Sequence, residues 1–357
     1  ADSYRVNNFI KGEKKDSADV VRLLQQYNRW PTWMWGNYEV ASLVTWLNAN
    51  NQNKAESKKT GFYGLDVYCL WESMTELLPY IRGKDATLEN AANKVHQCFQ
   101  PFSADAQEYA LAVANSAADC RKETNRLWNA VQKFTAGTKQ QEDHFVMQQN
   151  ALVALNGERY YSAMATGSSE SWNIRDHHMA ETLKRLLDLH GTNSKAIIWE
   201  HNTHVGDARF TDMAREGLVN VGQLARKQYG HENVFIVGFG SHSGTVIAAE
   251  QWGEPMKNMT VPPAIHGSWE YILHQLSATD KIILSKDIKD VPHLKKSIGH
   301  RAIGVVYHPQ REHLGNYVPS LIHKRYDAFI YLDTTKALRP IPIPVKPEPP
   351  DTYPWGT

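Results

Sequence analysis

The sequence is poor in the features that would place it at a glance. Only three cysteines occur in 357 residues, Cys69, Cys98 and Cys120, an odd number without the paired spacing of a metal site. They read as buried thiols of a reduced protein, so a disulfide framework is not expected. No apolar run approaches the ~20 residues that a membrane helix needs, and no membrane partner is expected. Charge of one sign is missing as well. With 39 Lys and Arg against 38 Asp and Glu, no basic excess points to nucleic acid. There is no internal repeat, no sustained heptad and no visible signal peptide, although the chain opens at Ala1 and not at Met. The expected location is cytoplasmic.

What is present is a patterned α/β sequence. The stretch 195–209, KAIIWEHNTHVGDAR, sets a short apolar run, Ala196-Ile197-Ile198-Trp199, directly before Glu200-His201-Asn202-Thr203-His204. Four apolar residues bounded by polar ones predict a buried central strand. In open α/β sheets, ligands sit beyond the carboxyl ends of the strands, which makes this edge the first candidate site. Residues 60–69, TGFYGLDVYC, predict another strand, with Asp66 at its end either in the site or capping the helix that follows. Further strands are expected at 233–239, 281–284, 302–307 and 328–332. Between residues 85 and 165 the pattern is almost wholly helical, with long helices over 104–134 and 140–165. This reads as a helical insertion between strands. An amphipathic helix over 171–190 carries Arg175, Asp176, His177 and His178 at its start, where an Arg fork suits a carboxylate. Three tryptophans within residues 30–35 fit a pocket for a bulky apolar ligand or a core equally well. Seven of the 16 prolines lie beyond Arg339. The expected organisation is one domain over 1–338 and a Pro-rich tail over 339–357.

Two familiar motifs fail on inspection. Gly238-Phe239-Gly240 follows a predicted strand, but the third glycine of a dinucleotide fingerprint falls one residue late, at Gly244. Gly240-Ser241-His242-Ser243-Gly244 has the outline of a nucleophile elbow, yet places His242 where the elbow needs serine. His201 and His204 leave two chemistries open. One is metal binding completed by Asp66 or another histidine, and the other is metal-free hydrolysis with imidazole activating water.

Taken in order, five segments resemble the erythromycin esterase family: Phe62-Tyr63-Gly64-Leu65-Asp66, Arg175-Asp176 with Met179-Ala180-Glu181, the stretch from Trp199 to Val205, Arg301 to Tyr307, and Arg325 to Phe329. The resemblance implies an α/β fold with a mostly parallel sheet of the erythromycin esterase/ChaN-like type. It implies hydrolysis of an ester, in named members a macrolide lactone linked to antibiotic resistance, by histidine-activated water. No cofactor is expected, with a divalent metal at the histidines as the alternative. Carried over to this chain, the expected catalytic residues are His201, His204, Asp66 and Glu181. The matched motifs give Asn202, Arg175 and Asp176 as expected substrate contacts, and His242, outside those motifs, is added from the stretch 240–244. The expected partner is a small ester or lactone. One departure stands out: the family's G-E-x-x-H loop, which carries its proposed general base, occurs nowhere in these residues. The expectation is therefore a fragment whose base lies upstream. The alternatives are an inactive remnant, or a metal- or ligand-binding protein of the same fold.

Overall fold

The computed structural model describes residues 2–13, 16–102, 106–115, 119–136, 142–164 and 169–343. Helices α1 (Asp2–Lys11), α2 (Ser17–Leu24) and α3 (Tyr38–Asn51) begin the chain. Two of them have a visible start signal: Asp16 accepts from the Asp19 amide ahead of α2, and Asn37 from the Val40 amide ahead of α3. Their apolar faces share one core built on Val6, Ile10, Val20, Leu24, Val40 and Val44. Ile341 closes that core, held by its amide to the Gly36 carbonyl at 2.8 Å, so the start of the Pro-rich segment lies as a strap across α3. The tail from residue 344 lies outside the described residues.

The helical region resolves into α4 (Leu70–Ile81), α5 (Ala86–Phe99), α6 (Ala106–Ala114), α7 (Arg121–Thr135) and α8 (Glu142–Met164), followed by α9 (Glu170–His190). The helix expected over 104–134 is two helices, and the predicted ends at residues 104, 140 and 165 fall outside the described residues. At the start of α7 the cysteine expectation is corrected. Cys98, near the end of α5, is bonded to Cys120, immediately before α7, with Cα atoms 5.9 Å apart. Packing of α5 against α7 brings together two thiols that are 22 residues apart in sequence. Cys69 stays outside the disulfide.

The sheet also differs from expectation. Strands β1 (Val237–Ala248), β2 (Lys257–Val261), β3 (Lys281–Leu284) and β6 (Ala328–Thr335) form one sheet in the order β2-β1-β6-β3. β4 (Ile298–Arg301) and β5 (Tyr317–Ser320) form an antiparallel pair apart from it. Among the described strands of this sheet only β1 and β6 run parallel, with Val237 opposite Ala328, so the sheet is mixed. β1 runs straight through the glycine-rich stretch 240–244 that the sequence suggests as a loop. Three of the predicted strands form no ladder. Residues 302–307 contribute a single bridge, Ala249 to Val306. Residues 195–200 are extended without a ladder, Ile197 is 99% exposed and Trp199 60% exposed. Residues 60–66 are likewise outside any ladder. An apolar run records that a segment suits burial, but among the described residues no neighbouring strand covers this one.

Short helix α10 (Asn202–Val205) follows the extended stretch, then α11 (Val221–Tyr229), and α12 (Trp269–Leu276) lies farther along. α11 packs tightly on α10 because Gly222 has no side chain. A Cβ there would sit on the Val205 carbonyl, far inside contact distance. No described helix is long and apolar enough to cross a membrane.

Candidate active site

The turn at the end of the extended stretch is fixed by its own polar residues. His201 caps α10: its Nδ1 accepts from the Thr203 amide at 3.3 Å and lies 2.8 Å from the Thr203 hydroxyl. Its Nε2 faces the Ile303 carbonyl at 3.1 Å, so this nitrogen carries the proton and the ring is neutral. Desolvation by the surrounding protein, then the charges of His204, Arg325 and His300, pull its pKa down to about 4. Asn202 donates to the Phe239 carbonyl at 2.6 Å and accepts from the Phe239 amide at 3.1 Å, tying α10 to β1. Both atoms of that amide are occupied by backbone.

His204 is held differently. Its Nδ1 lies 3.1 Å from both oxygens of Asp176, a fully buried residue of α9. Asp176 also accepts from the Val221 amide at 3.0 Å, which locks the carboxylate in place. Trp172, one turn earlier on α9, stacks on the imidazole with centroids 4.6 Å apart and planes within 6°. Nδ1 is therefore the protonated nitrogen, and Nε2 has no hydrogen-bond partner among the described residues. This is the arrangement of a base oriented by a carboxylate, with its basic lone pair left open.

Arg175 and Asp66 form the adjoining pair. Arg175 donates through Nε and Nη2 to the two Asp66 oxygens at 3.0 and 2.8 Å, a bidentate fork, and lies 4.6 Å over the Tyr68 ring. Burial pushes the Asp66 carboxyl up, but the charge and hydrogen bonds of Arg175 outweigh it and hold the pKa below the usual range. Asp66 does not cap α4. The residue before that helix is Cys69, which makes no side-chain cap, while Asp66 accepts only from Val67 and Arg175.

Two expected site residues, Glu181 and His242, stand elsewhere. Glu181 pairs with Arg185 one turn along α9, at 3.0 Å. It lines a groove of about 470 Å³ with His177 and Lys227, which none of Asp66, Arg175, Asp176 or His204 lines. His242, in β1, stacks face to face on His274 of α12 at 3.7 Å, and His274 in turn meets Asp333 at 2.8 Å. His178 points into the core, with Nδ1 3.0 Å from the Asn156 amide nitrogen. The histidines of this edge thus do not converge. Among the described residues, no group of three or more His, Cys, Asp or Glu is placed to hold a metal ion.

Two features had little signal in the sequence. Glu200 has both carboxyl oxygens buried without any partner. Desolvation, then the negative charges of Asp176 and Asp66, raise its pKa to about 8, with Arg175 opposing them. Below α10, fully buried His300 and Glu270 pair at 2.6 Å, with His300 Nε2 3.4 Å from the Asn202 amide. Only the tertiary fold brings residues 30 positions apart into that dyad.

The tryptophans of residues 30–35 divide between core and surface. Trp30 and Trp33 are buried, with Trp30 against Trp252, whereas Trp35 meets exposed Trp199 at 5.8 Å and Phe62 at 6.2 Å.

Comparison with known proteins agrees with the architecture. A Bacillus cereus protein of known structure aligns over 91% of this chain and 80% of its own, with a TM-score of 0.69 and 16% identity. An erythromycin esterase, EreC, solved as a histidine-to-asparagine mutant in its open conformation, aligns over 93% of this chain and 80% of its own, with a TM-score of 0.65 and 13% identity. At such identities the likeness is one of fold. The family model for erythromycin esterase matches residues 1–335, so the chain belongs to the erythromycin esterase family.

Proposed function

We propose that the protein is a carboxylic-ester hydrolase acting on an ester or lactone, with His204 as the imidazole that activates water. The observation that carries this reading is the Asp176–His204 contact, 3.1 Å on both oxygens, beside an Nε2 with no partner. A neutral imidazole with a free Nε2 can take a proton from water as the oxygen adds to a carbonyl carbon. The imidazolium so formed is stabilised by Asp176, and the Trp172 face keeps the ring in plane. His201 has both nitrogens engaged, which suits it to shaping the turn and the wall of the site. The Arg175–Asp66 fork fixes the adjoining wall. Membership of the family supports a macrolide lactone as one substrate to assay.

The test is hydrolysis of a panel of simple esters and a macrolide lactone by the wild type, His204→Ala and Asp176→Asn. A positioned base contributes about 10²–10⁴-fold, so His204→Ala should lose about that much of kcat/KM. Asp176→Asn, which keeps the shape but not the charge, should lose a comparable share with the melting profile retained. Wild-type rates in His204→Ala would overturn the assignment.

A further inference from the structure

Glu200 stands out among the carboxyl groups of the site because it alone has nothing to bind. Asp66 receives both arms of Arg175 and the Val67 amide, and Asp176 receives His204 and the Val221 amide. Both Glu200 oxygens are buried and unpartnered among the described residues, and the charges of those two carboxylates act on them. An ionised carboxylate there would be a buried charge without a hydrogen-bond donor, facing like charges that Arg175 offsets only in part, whereas the neutral acid needs no counter-ion. One short segment therefore delivers an acid at position 200 and a free imidazole nitrogen at position 204. Adjacent carboxyls whose surroundings drive them to opposite protonation states are the pattern of an acid and its electrostatic partners.

We propose that Glu200 is the proton donor of this site, giving its carboxyl proton to the alkoxide oxygen that leaves when the ester bond breaks. The proposal rests on the hydrolase reading above. The sequence balances. His204 Nε2 takes a proton from water, and the water oxygen bonds to the carbonyl carbon. The carbon–oxygen bond to the alcohol then breaks as the Glu200 proton passes to that oxygen. The His204 imidazolium then gives its proton to solvent and the Glu200 carboxylate takes one from solvent, which restores both groups. Acid and alcohol are the only products. A carboxyl pushed to about 8 still holds its proton at neutral pH, as a donor must.

A donor matters most when the leaving group is a poor one, and this gives a test that a structural role would not mimic. Glu200→Gln keeps the shape but cannot transfer a proton. On an alkyl ester its kcat/KM should fall by about 10²-fold, while on an aryl ester, whose phenolate leaves unaided, it should fall by less than about tenfold. Glu200→Asp, which retains an acid, should recover part of the alkyl-ester rate and guards against a folding defect in the first variant. Equal losses on both esters, or none on either, would overturn the donor role. Infrared difference spectra of wild type minus Glu200→Gln at neutral pH give a readout independent of turnover. A protonated-carboxyl band should be present, and its absence overturns the proposal by itself. If wild type turns over neither ester, the hydrolase reading fails, and the ester step proposed for Glu200 falls with it. The infrared band then reports only whether Glu200 holds a proton.

Discussion

The buried imidazole of His178 makes acid stability a direct measure of how this fold is packed. The ring lies in α9 at 1% exposure, with Nδ1 facing the Asn156 amide donor at 3.0 Å and Nε2 buried without a partner. A second proton would have to enter at Nδ1, against that donor, inside the core. Desolvation, and then the charge of Arg185, push its pKa from 6.5 down to about 4, although Asp66 acts the other way. The sign follows from proton counting. Between about 6.5 and about 4 the unfolded chain carries the proton and the folded one does not, so stability falls as pH falls. At about 1.4 kcal/mol per unit the full effect is about 3 kcal/mol, and about 2 kcal/mol of it is lost by about pH 5. Urea unfolding of wild type and His178→Gln at about pH 7 and about pH 5 isolates the contribution. Glutamine offers Asn156 an acceptor but does not titrate in this range, so its loss between the two conditions should be smaller by about 2 kcal/mol. His201 titrates in the same direction, but it is present in both proteins and drops out of the difference. Equal pH dependence in the two proteins would refute the placement of His178 as a buried neutral ring.

Two more outcomes follow from the packing. In the denatured protein without reductant, one thiol should react, that of Cys69, and three after reduction; breaking the Cys98–Cys120 bond, which closes a 22-residue separation, should cost about 3 kcal/mol in a denaturant melt. Three reactive thiols before reduction would show that the bond is not formed. Gly222→Ala sets two effects against each other: alanine gains up to about 1 kcal/mol of helix propensity in α11, but its Cβ meets the Val205 carbonyl backbone, which forces a shift costing about 1–3 kcal/mol. The variant should melt earlier and lose ester hydrolysis as the turn carrying His204 moves, and an unchanged or raised Tm would sink the steric argument.

The helices were legible because their signals are local. Asp16 and Asn37 cap α2 and α3 at positions where their residue types predict it, and the apolar spacing from Val20 to Leu24 marks the buried face. The strands were less so, since a strand is defined by its neighbour as well as by its residues. The strands expected over 281–284 and 328–332 read correctly because each finds a partner in the other, the second running on to Thr335. The run 196–199 has the same composition but no ladder, and Ile197 is left in solvent. The continuous β1 strand was obscured by Gly240 and Gly244, which resemble a turn in sequence. In the sheet they serve close packing: a Cβ at Gly240 would strike Phe329, and one at Gly244 the backbone of Thr335. The Cys98–Cys120 pair was missed because spacing in sequence says nothing about which helices pack together.

At the candidate site, the residue types were visible but their division of labour was not. His201 and His204 look equivalent in the sequence, three residues apart in one motif, yet one full helical turn of geometry separates their roles. The first spends both nitrogens on Thr203 and Ile303. The second spends one on Asp176, a residue of another helix, and keeps the other free. Reactivity follows from which lone pair remains after folding, and that depends on partners 28 and 102 residues away. Glu200 carries the same lesson with the sign reversed. Nothing in its sequence setting marks it, yet the fold buries both of its oxygens without a partner, and desolvation, then the charges of Asp176 and Asp66, raise its pKa. A base with one open nitrogen and an acid with no partner are both defined by bonds they do not make, and no spacing rule records an unmade bond.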